Sequence, residues 1–368
     1  MAELKDEILK VLTDLVRIRS TADRPDELKR VIDYAENYLS APSIIKKRYE
    51  KNGKHSLVAT FHDTMEPEVM FVGHMDVVEA EDWQFEPKIE GDKILGRGVI
   101  DMKGPDAVML KMFKDIAESG RRPNIGLMLT TDEEVGSENG VEYLLKEVGW
   151  GARFAVIPDG GGSFNIVYRG KGVVHLKARA KGKAIHGSMP WLGENAIDKI
   201  IDFYTELREQ FPKEPCGDPI HWHNTINIGR IEGGKVVNQV PDFAEAHLDI
   251  RFVEPWSSRG MFEFVKKYAD RHGVELELIS RGEPVETDPN HPYVQAFKRA
   301  AESVLGRDVK LVVEYGATDG RFFAEKGIPN IVTCAEGGGA HSRDEWARIS
   351  SFPQLYEIMM KFLEESGL

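Results

Sequence analysis

A histidine and an aspartate stand two residues apart, His74 and Asp76, directly after the apolar run Val69–Val72. On an extended strand, positions i and i+2 face the same side, so this imidazole and carboxylate converge just past the strand end. A metal ligand beside an orienting carboxylate has this pattern, and so does a strand that merely runs into a polar loop. Four later places repeat the theme. Asp101 lies in the turn before a helix opened by Pro105, and Asp132, Glu133 and Glu134 follow the apolar stretch Asn124–Thr130. Asp159 closes the run Phe154–Ile157, and His341 sits in a glycine-rich loop after Ile328–Thr333. Three adjacent acids behind a buried strand are costly to gather without a cation nearby. Two imidazoles and several carboxylates suit two zinc-like ions about 3.5–4 Å apart, with one carboxylate between them and one left as a base. None of these positions is a cysteine, which argues against a closed structural zinc site and for open positions, bound water and hydrolysis.

The elements that must deliver these residues alternate. Helical spacing over Leu4–Ile18 and a helix after Pro25 precede strands at Ser56–Phe61 and Val69–Val72. A helix from Pro105 to Gly120, strand Asn124–Thr130, helix Ser137–Val148 and strand Phe154–Ile157 follow. Strands that deliver acid or imidazole at their carboxyl ends fit an open α/β sheet with its site on that edge. From Gly172 the order becomes strand, helix, strand, strand, helix, strand, ending at Ile279, the split βαβ arrangement of a ferredoxin-like domain. Helices Pro292–Leu305 and Pro353–Glu365 with strands Lys310–Val313 and Ile328–Thr333 then resume the first pattern. The expected division is therefore a discontinuous domain, 1–171 and 284–368, with an insertion at 172–283.

A chain of 368 residues exceeds what one core normally serves. Its 48 basic and 61 acidic residues leave a net charge of −13, which disfavours nucleic acid or an anionic membrane as partner. No apolar run is long enough to span a bilayer, and the charged amphipathic start lacks the apolar core of a signal peptide, so a cytoplasmic location is expected. Cys216 and Cys334 form no CxxC pattern and read as buried free thiols. His221 and His223 would share a face if extended, which could suggest a second metal site, but an interface or surface pair is the expectation. Along Phe243–Phe252 apolar and polar residues alternate, which puts Arg251 on the polar face, where its guanidinium suits a substrate carboxylate or a surface salt bridge.

GHMD at 73–76, GRGVIDMKG at 96–104, TTDEEVGS at 130–137, PDGGG at 158–162 and GGGAHSRDEW at 337–346 carry a family resemblance. The chain resembles the co-catalytic zinc family of acetylornithine deacetylases, succinyl-diaminopimelate desuccinylases, glutamate carboxypeptidases and related dipeptidases. The resemblance implies an open mixed-sheet zinc-peptidase-like domain with an inserted ferredoxin-like (βαββαβ) dimerisation domain. It implies two divalent ions, zinc with cobalt or manganese as substitutes, held by His74 and Asp159 on one side and Glu134 and His341 on the other. Asp101 would stand between them, with the peptide after it in cis; Asp76 would orient His74, and Glu133 would be the general base.

Further roles come from the resemblance. His186 matches a loop histidine that reaches the partner subunit's site and stabilises an oxyanion, implying a homodimer. Asn238 and Arg251 match substrate contacts, and Asp319 and Arg321 lie in a segment near the substrate in desuccinylases, although Thr318 replaces the usual serine. That segment favours an N-acyl amino acid, whereas Asp159 is closer to the deacetylases and dipeptidases. The expected activity is release of a small acyl group from an N-acyl amino acid. A metallo-dipeptidase or carboxypeptidase acting on short peptides is the alternative, and a non-catalytic metal-stabilised binding protein a remoter one.

Overall fold

The computed structural model describes residues 2–218 and 220–368. The chain divides into two compact units: one runs to Arg169 and resumes at Glu286–Glu314 and Thr318–Leu368, and the other comprises Gly170–Val285 with Tyr315–Ala317.

In the first unit, strands Ile125–Thr130, Val69–His74, Phe154–Ile157 and Asn330–Val332 lie side by side in that order, all parallel. Antiparallel strands flank them, Lys54–Thr60 and then Ile45–Lys51 on one side and Ile166–Gly170 on the other. The central strands are apolar on both faces, and their alternation shows which face each side chain serves. Val69, Phe71, Ile125, Leu127, Leu129 and Phe154 join the larger core under helices Ala2–Val16, Pro25–Tyr38, Lys103–Glu118, Pro292–Leu305 and Ser351–Glu365. Met70, Val72, Met128, Ala155 and Ile157 join a smaller core on the opposite face with Trp150 and Phe323. Each fully buried Leu or Phe contributes about 1.5–3 kcal/mol, so apolar packing on both faces adds to the strand ladders in holding the sheet. Parallel strands with shared direction also put their carboxyl ends along one edge.

Three departures from the sequence expectations have local causes. The helix expected over Ser137–Val148 begins only at Val141, and its last turn, Leu144–Val148, is a π-helix. Asp132 accepts hydrogen bonds from the Asn139 and Gly140 backbone N–H groups, which holds the preceding residues in a loop, and Ser137 has φ 65°. Strand Ile45–Lys51 was not anticipated because IKKRYEK shows no apolar alternation; it is an edge strand of half-buried polar residues. A small antiparallel sheet of Gly337–Gly338, Trp346–Arg348, Lys93–Leu95 and Lys88–Glu90 also forms, from strands too short to show a period.

The second unit is a four-stranded antiparallel sheet, ordered Thr225–Gly233, Phe243–Phe252, Gly172–Lys181, Val274–Gly282. Helices Ala196–Arg208 and Ser258–Arg271 share its core through Ile200, Phe203, Met261 and Val265. Both helices start at a side-chain cap, Asn195 accepting from the Ile197 and Asp198 N–H groups and Ser257 from that of Gly260. This strand order is the ferredoxin-like arrangement expected from the sequence.

Candidate metal centre

Four of the expected residues stand at the carboxyl ends of adjacent parallel strands, on His74, in the turn Asp132–Val135, and at Asp159. Gly73 precedes His74 for a steric reason: a Cβ there would fall 2.1 Å from Asp106 Oδ1 on the helix beneath. Asp101 enters from the loop before helix Lys103–Glu118, and its peptide bond to Met102 is cis, as the resemblance implies. His341 enters from the loop between the first two strands of the small sheet with φ 62°, a left-handed conformation uncommon outside glycine.

These side chains converge. Asp101 places one oxygen 3.2 Å from His74 Nε2 and the other 3.1 Å from His341 Nε2. Asp159 Oδ2 lies 3.8 Å from His74 Nε2, and Glu134 Oε2 lies 3.0 Å from His341 Nε2. Glu133 faces elsewhere, with Oε1 3.9 Å from Arg321 Nη1.

Asp76 meets His74 chiefly through its main chain: Nδ1 lies 3.1 Å from the Asp76 carbonyl oxygen, while the carboxylate is 3.6 Å away. A carbonyl can only accept, so Nδ1 carries the proton and Nε2 presents its lone pair to the cluster. The Asp76 carboxylate instead accepts hydrogen bonds from the backbone N–H groups of Glu133 and Glu134, at 3.3 and 3.1 Å.

Asp319 and Arg321, expected to bind substrate, are buried behind that same turn. Asp319 accepts a 2.5 Å hydrogen bond from Ser137 Oγ, and Arg321 donates to the Gly136 carbonyl. Glu345, which the sequence marks only as one residue of GGGAHSRDEW, clamps the loop that leads to Asp101. Its carboxylate accepts from the N–H groups of Gly98, Ile100 and Asp101 and pairs with Arg97 at 2.6 Å, all in a buried setting. The available signal was a glutamate following a run of polar residues, which by itself does not mark a buried clamp.

The electrostatics call for positive charge. Burial pushes the Glu134 carboxyl up to about 7 and that of Asp159 up to about 6, and it holds Glu133 well above the carboxylate range. Burial opposes a charged His74, yet Asp101, Asp159 and Asp76 together hold its imidazole well above the ordinary value. The hydrogen bond that His341 donates to the Asp101 carboxylate leads in raising its imidazole to about 9. His74 Nε2 and Glu134 Oε1 are nevertheless buried without a hydrogen-bond partner among the described residues. With a carboxylate oxygen 3.2 Å from His74 Nε2, either a proton or a metal cation must lie between them, and the residues fit the metal ions that the resemblance implies. Imidazole and carboxylate without thiolate suit zinc, cobalt or manganese alike.

His186, Asn238 and Arg251 belong to the second unit. His186 is exposed on a loop bridged to Gln239, its Nδ1 2.8 Å from Ser188 Oγ. Asn238 is exposed, and its carbonyl accepts from Gly187 N–H. Arg251 forms a bidentate pair with Asp249, at 2.7 and 3.2 Å, so the salt bridge is the contact it makes.

Residues 70–365 match the model of Peptidase family M20/M25/M40. A probable succinyl-diaminopimelate desuccinylase of Staphylococcus epidermidis is 29% identical over 401 residues, covering 97% of this chain and 98% of that protein. Among solved structures, an M20 family metallo-carboxypeptidase of Sulfolobus solfataricus superposes with TM-score 0.80 at 20% identity, over 97% of this chain and 98% of that one. A dinuclear metal binding peptidase of the M20 family from Bacillus subtilis gives TM-score 0.72 at 14% identity, over 100% and 99%. At these identities the structural likeness shows a shared fold.

Proposed function

The chain belongs to peptidase family M20/M25/M40, and from that premise we propose that this metal-dependent hydrolase releases a small acyl group from the α-amine of an N-acyl amino acid. The observation that carries the reading is Asp101, one oxygen toward each imidazole, beside a His74 Nε2 and a Glu134 Oε1 that lack any other partner. His74 and Asp159 would hold one ion, Glu134 and His341 the other, and Asp101 both. Bound there, the ions would polarise the scissile carbonyl and lower the pKa of a water toward about 7.

The protein's own part is proton handling and alignment. Glu133 makes none of the short contacts that join the ligand residues, and burial makes its carboxyl readier to hold a proton at neutral pH. It takes a proton from the attacking water and gives it to the leaving amine. Asp76 fixes the backbone of Glu133 and Glu134 through two N–H groups, so base and ligand keep their separate directions. Asp319 and Arg321 serve as positioning residues for this turn rather than as substrate contacts. The intact base supports catalysis over a purely structural use of metal.

His186, Asn238 and Arg251 are assigned to the oxyanion and the substrate carboxylate on the resemblance. The assignment of His186 includes a homodimer in which it acts on the partner's substrate. Exposed Trp191, Leu192, Val236 and Val237 on the same unit are the apolar surface such a dimer would cover. Mixing His186→Ala with Glu133→Ala protein should restore activity that neither has alone; two inactive parents that stay inactive when mixed, though dimeric by light scattering, would contradict action in trans.

The acyl reading draws on the Staphylococcus epidermidis relative. A second reading, hydrolysis of dipeptides, draws on Asp159, since the resemblance at that position is to dipeptidases as well as to deacetylases. Parallel assays of N-acetylornithine, N-succinyl-diaminopimelate and a set of dipeptides with zinc, cobalt or manganese decide between them. Turnover confined to the dipeptides would overturn the acyl reading. No helix among the described residues is long and apolar enough to cross a membrane.

A further inference from the structure

Away from the strand-end cluster, the loop ahead of strand Thr225–Gly233 gathers a second set of donors. Glu214, Cys216, His221 and His223 each direct one atom into a common space, all within 4.8 Å of one another. His223 Nε2 lies 3.0 Å from Cys216 Sγ and 2.9 Å from Glu214 Oε1. His221 Nδ1 lies 3.2 Å from Cys216 Sγ and 3.1 Å from Glu214 Oε2. Donors about 2.0–2.3 Å from a tetrahedral ion stand about 3.3–3.7 Å apart, a few tenths of an ångström beyond these separations, so a small outward shift of the side chains would admit one.

The ring orientations agree with ligation. His223 Nδ1 faces the Asn224 carbonyl at 3.1 Å, so that nitrogen bears the proton and Nε2 offers its lone pair to the cluster. There it meets a carboxylate oxygen 2.9 Å away, which repels a lone pair and which a cation between them reconciles. The loop is also braced for the purpose. The buried Lys171 ammonium donates to the carbonyls of both histidines, at 2.9 and 2.7 Å. Asp218 accepts from the N–H groups of Ile220 and Trp222, and Tyr315 donates to the Ile220 carbonyl.

We propose that Glu214, Cys216, His221 and His223 form a structural metal site in the second unit, selective for zinc. One thiolate, two imidazoles and one carboxylate make a borderline-soft set that suits zinc over magnesium or calcium. Four protein donors leave no open position, so the ion takes no part in hydrolysis. It ties the loop to the sheet instead: His223 stands two residues before Thr225, which pairs with Arg251 across the strands.

The test separates this site from the strand-end cluster by its sulfur. Full-length protein reconstituted with Co2+ should show a thiolate-to-cobalt charge-transfer band, which carboxylates and imidazoles cannot give. Cys216→Ser should abolish the band and lower the bound Zn2+ by about one ion per chain. Cys334→Ser should keep both, and so should a His74→Ala/Asp101→Ala variant keep the band. A wild-type protein without the band, a band lost with Cys334 rather than Cys216, or a Zn2+ content unchanged by Cys216→Ser would each overturn the proposal and leave a hydrogen-bonded cluster.

Discussion

The two donor clusters of this chain are built on opposite plans. The strand-end cluster draws His74, Asp101, Glu134, Asp159 and His341 from separate elements spread over most of the sequence, each backed by a buried apolar strand or a hydrogen-bonded loop. The Glu214–His223 cluster comes from one stretch of ten residues, with Glu214 and His221 about half exposed. A site assembled by the sheet exists because the core folds. A site assembled by a loop has little apolar burial beneath it, and a bound ion would supply much of its order.

The sharpest way to probe the first plan is Glu133→Ala. Turnover should fall by about 10²–10⁴-fold while bound metal is unchanged, since the side chain stands apart from the ligand atoms. Undiminished turnover would remove Glu133 from the mechanism. Asp76→Asn retains the shape but replaces one acceptor oxygen by a donor that faces a backbone N–H. A loss of about 10–100-fold in activity or metal affinity is expected, and a silent change would show that the Glu133–Glu134 turn holds without it.

Glu345→Gln should destabilise the fold by about 1–3 kcal/mol, because three backbone N–H groups and Arg97 converge on that carboxylate. Denaturant melts read this directly. Removing metal with a chelator contrasts the two plans in one experiment. Amide exchange in Val69–His74 should remain slow, whereas amides near residues 214–223 should exchange faster; equal responses would erase the distinction drawn above.

The smallest effect concerns Asp249. His175, and then Arg251, lower its carboxyl from 3.8 to about 2. A depressed acid stabilises the fold above its unfolded value and loses that contribution as pH falls, here between about 4 and 2. The side chain is 37% exposed, so solvent screening keeps the contribution below about 1 kcal/mol. An NMR titration of the Asp249 carboxyl should find its midpoint near 2, and a midpoint near 4 would mean that the contacts with His175 and Arg251 do not persist in solution.

The strand-end residues were legible because buried strands announce themselves as apolar runs, and a charged residue at the end of each is conspicuous. His74, Asp101, Glu134 and His341 meet as that logic requires. What hydrogen bonds decide was not legible. Asp76 binds His74 through its carbonyl, Asp319 is spent on Ser137, and Glu345 serves a loop 244 residues away. The pairing of His221 and His223 with Glu214 and Cys216 was missed because a loop that doubles back leaves no periodic trace in sequence.

One consequence of the Asp76 geometry concerns how such a centre can be altered. Its carbonyl fixes a ligand while its carboxylate fixes the peptide groups of the base and of another ligand. Ion preference and proton transfer are thereby linked through a single residue, so changes at position 74 or 76 should disturb both at once. Asp159 and His341 lie outside that linkage. An effort to retune the protein for a different ion would begin with those two positions.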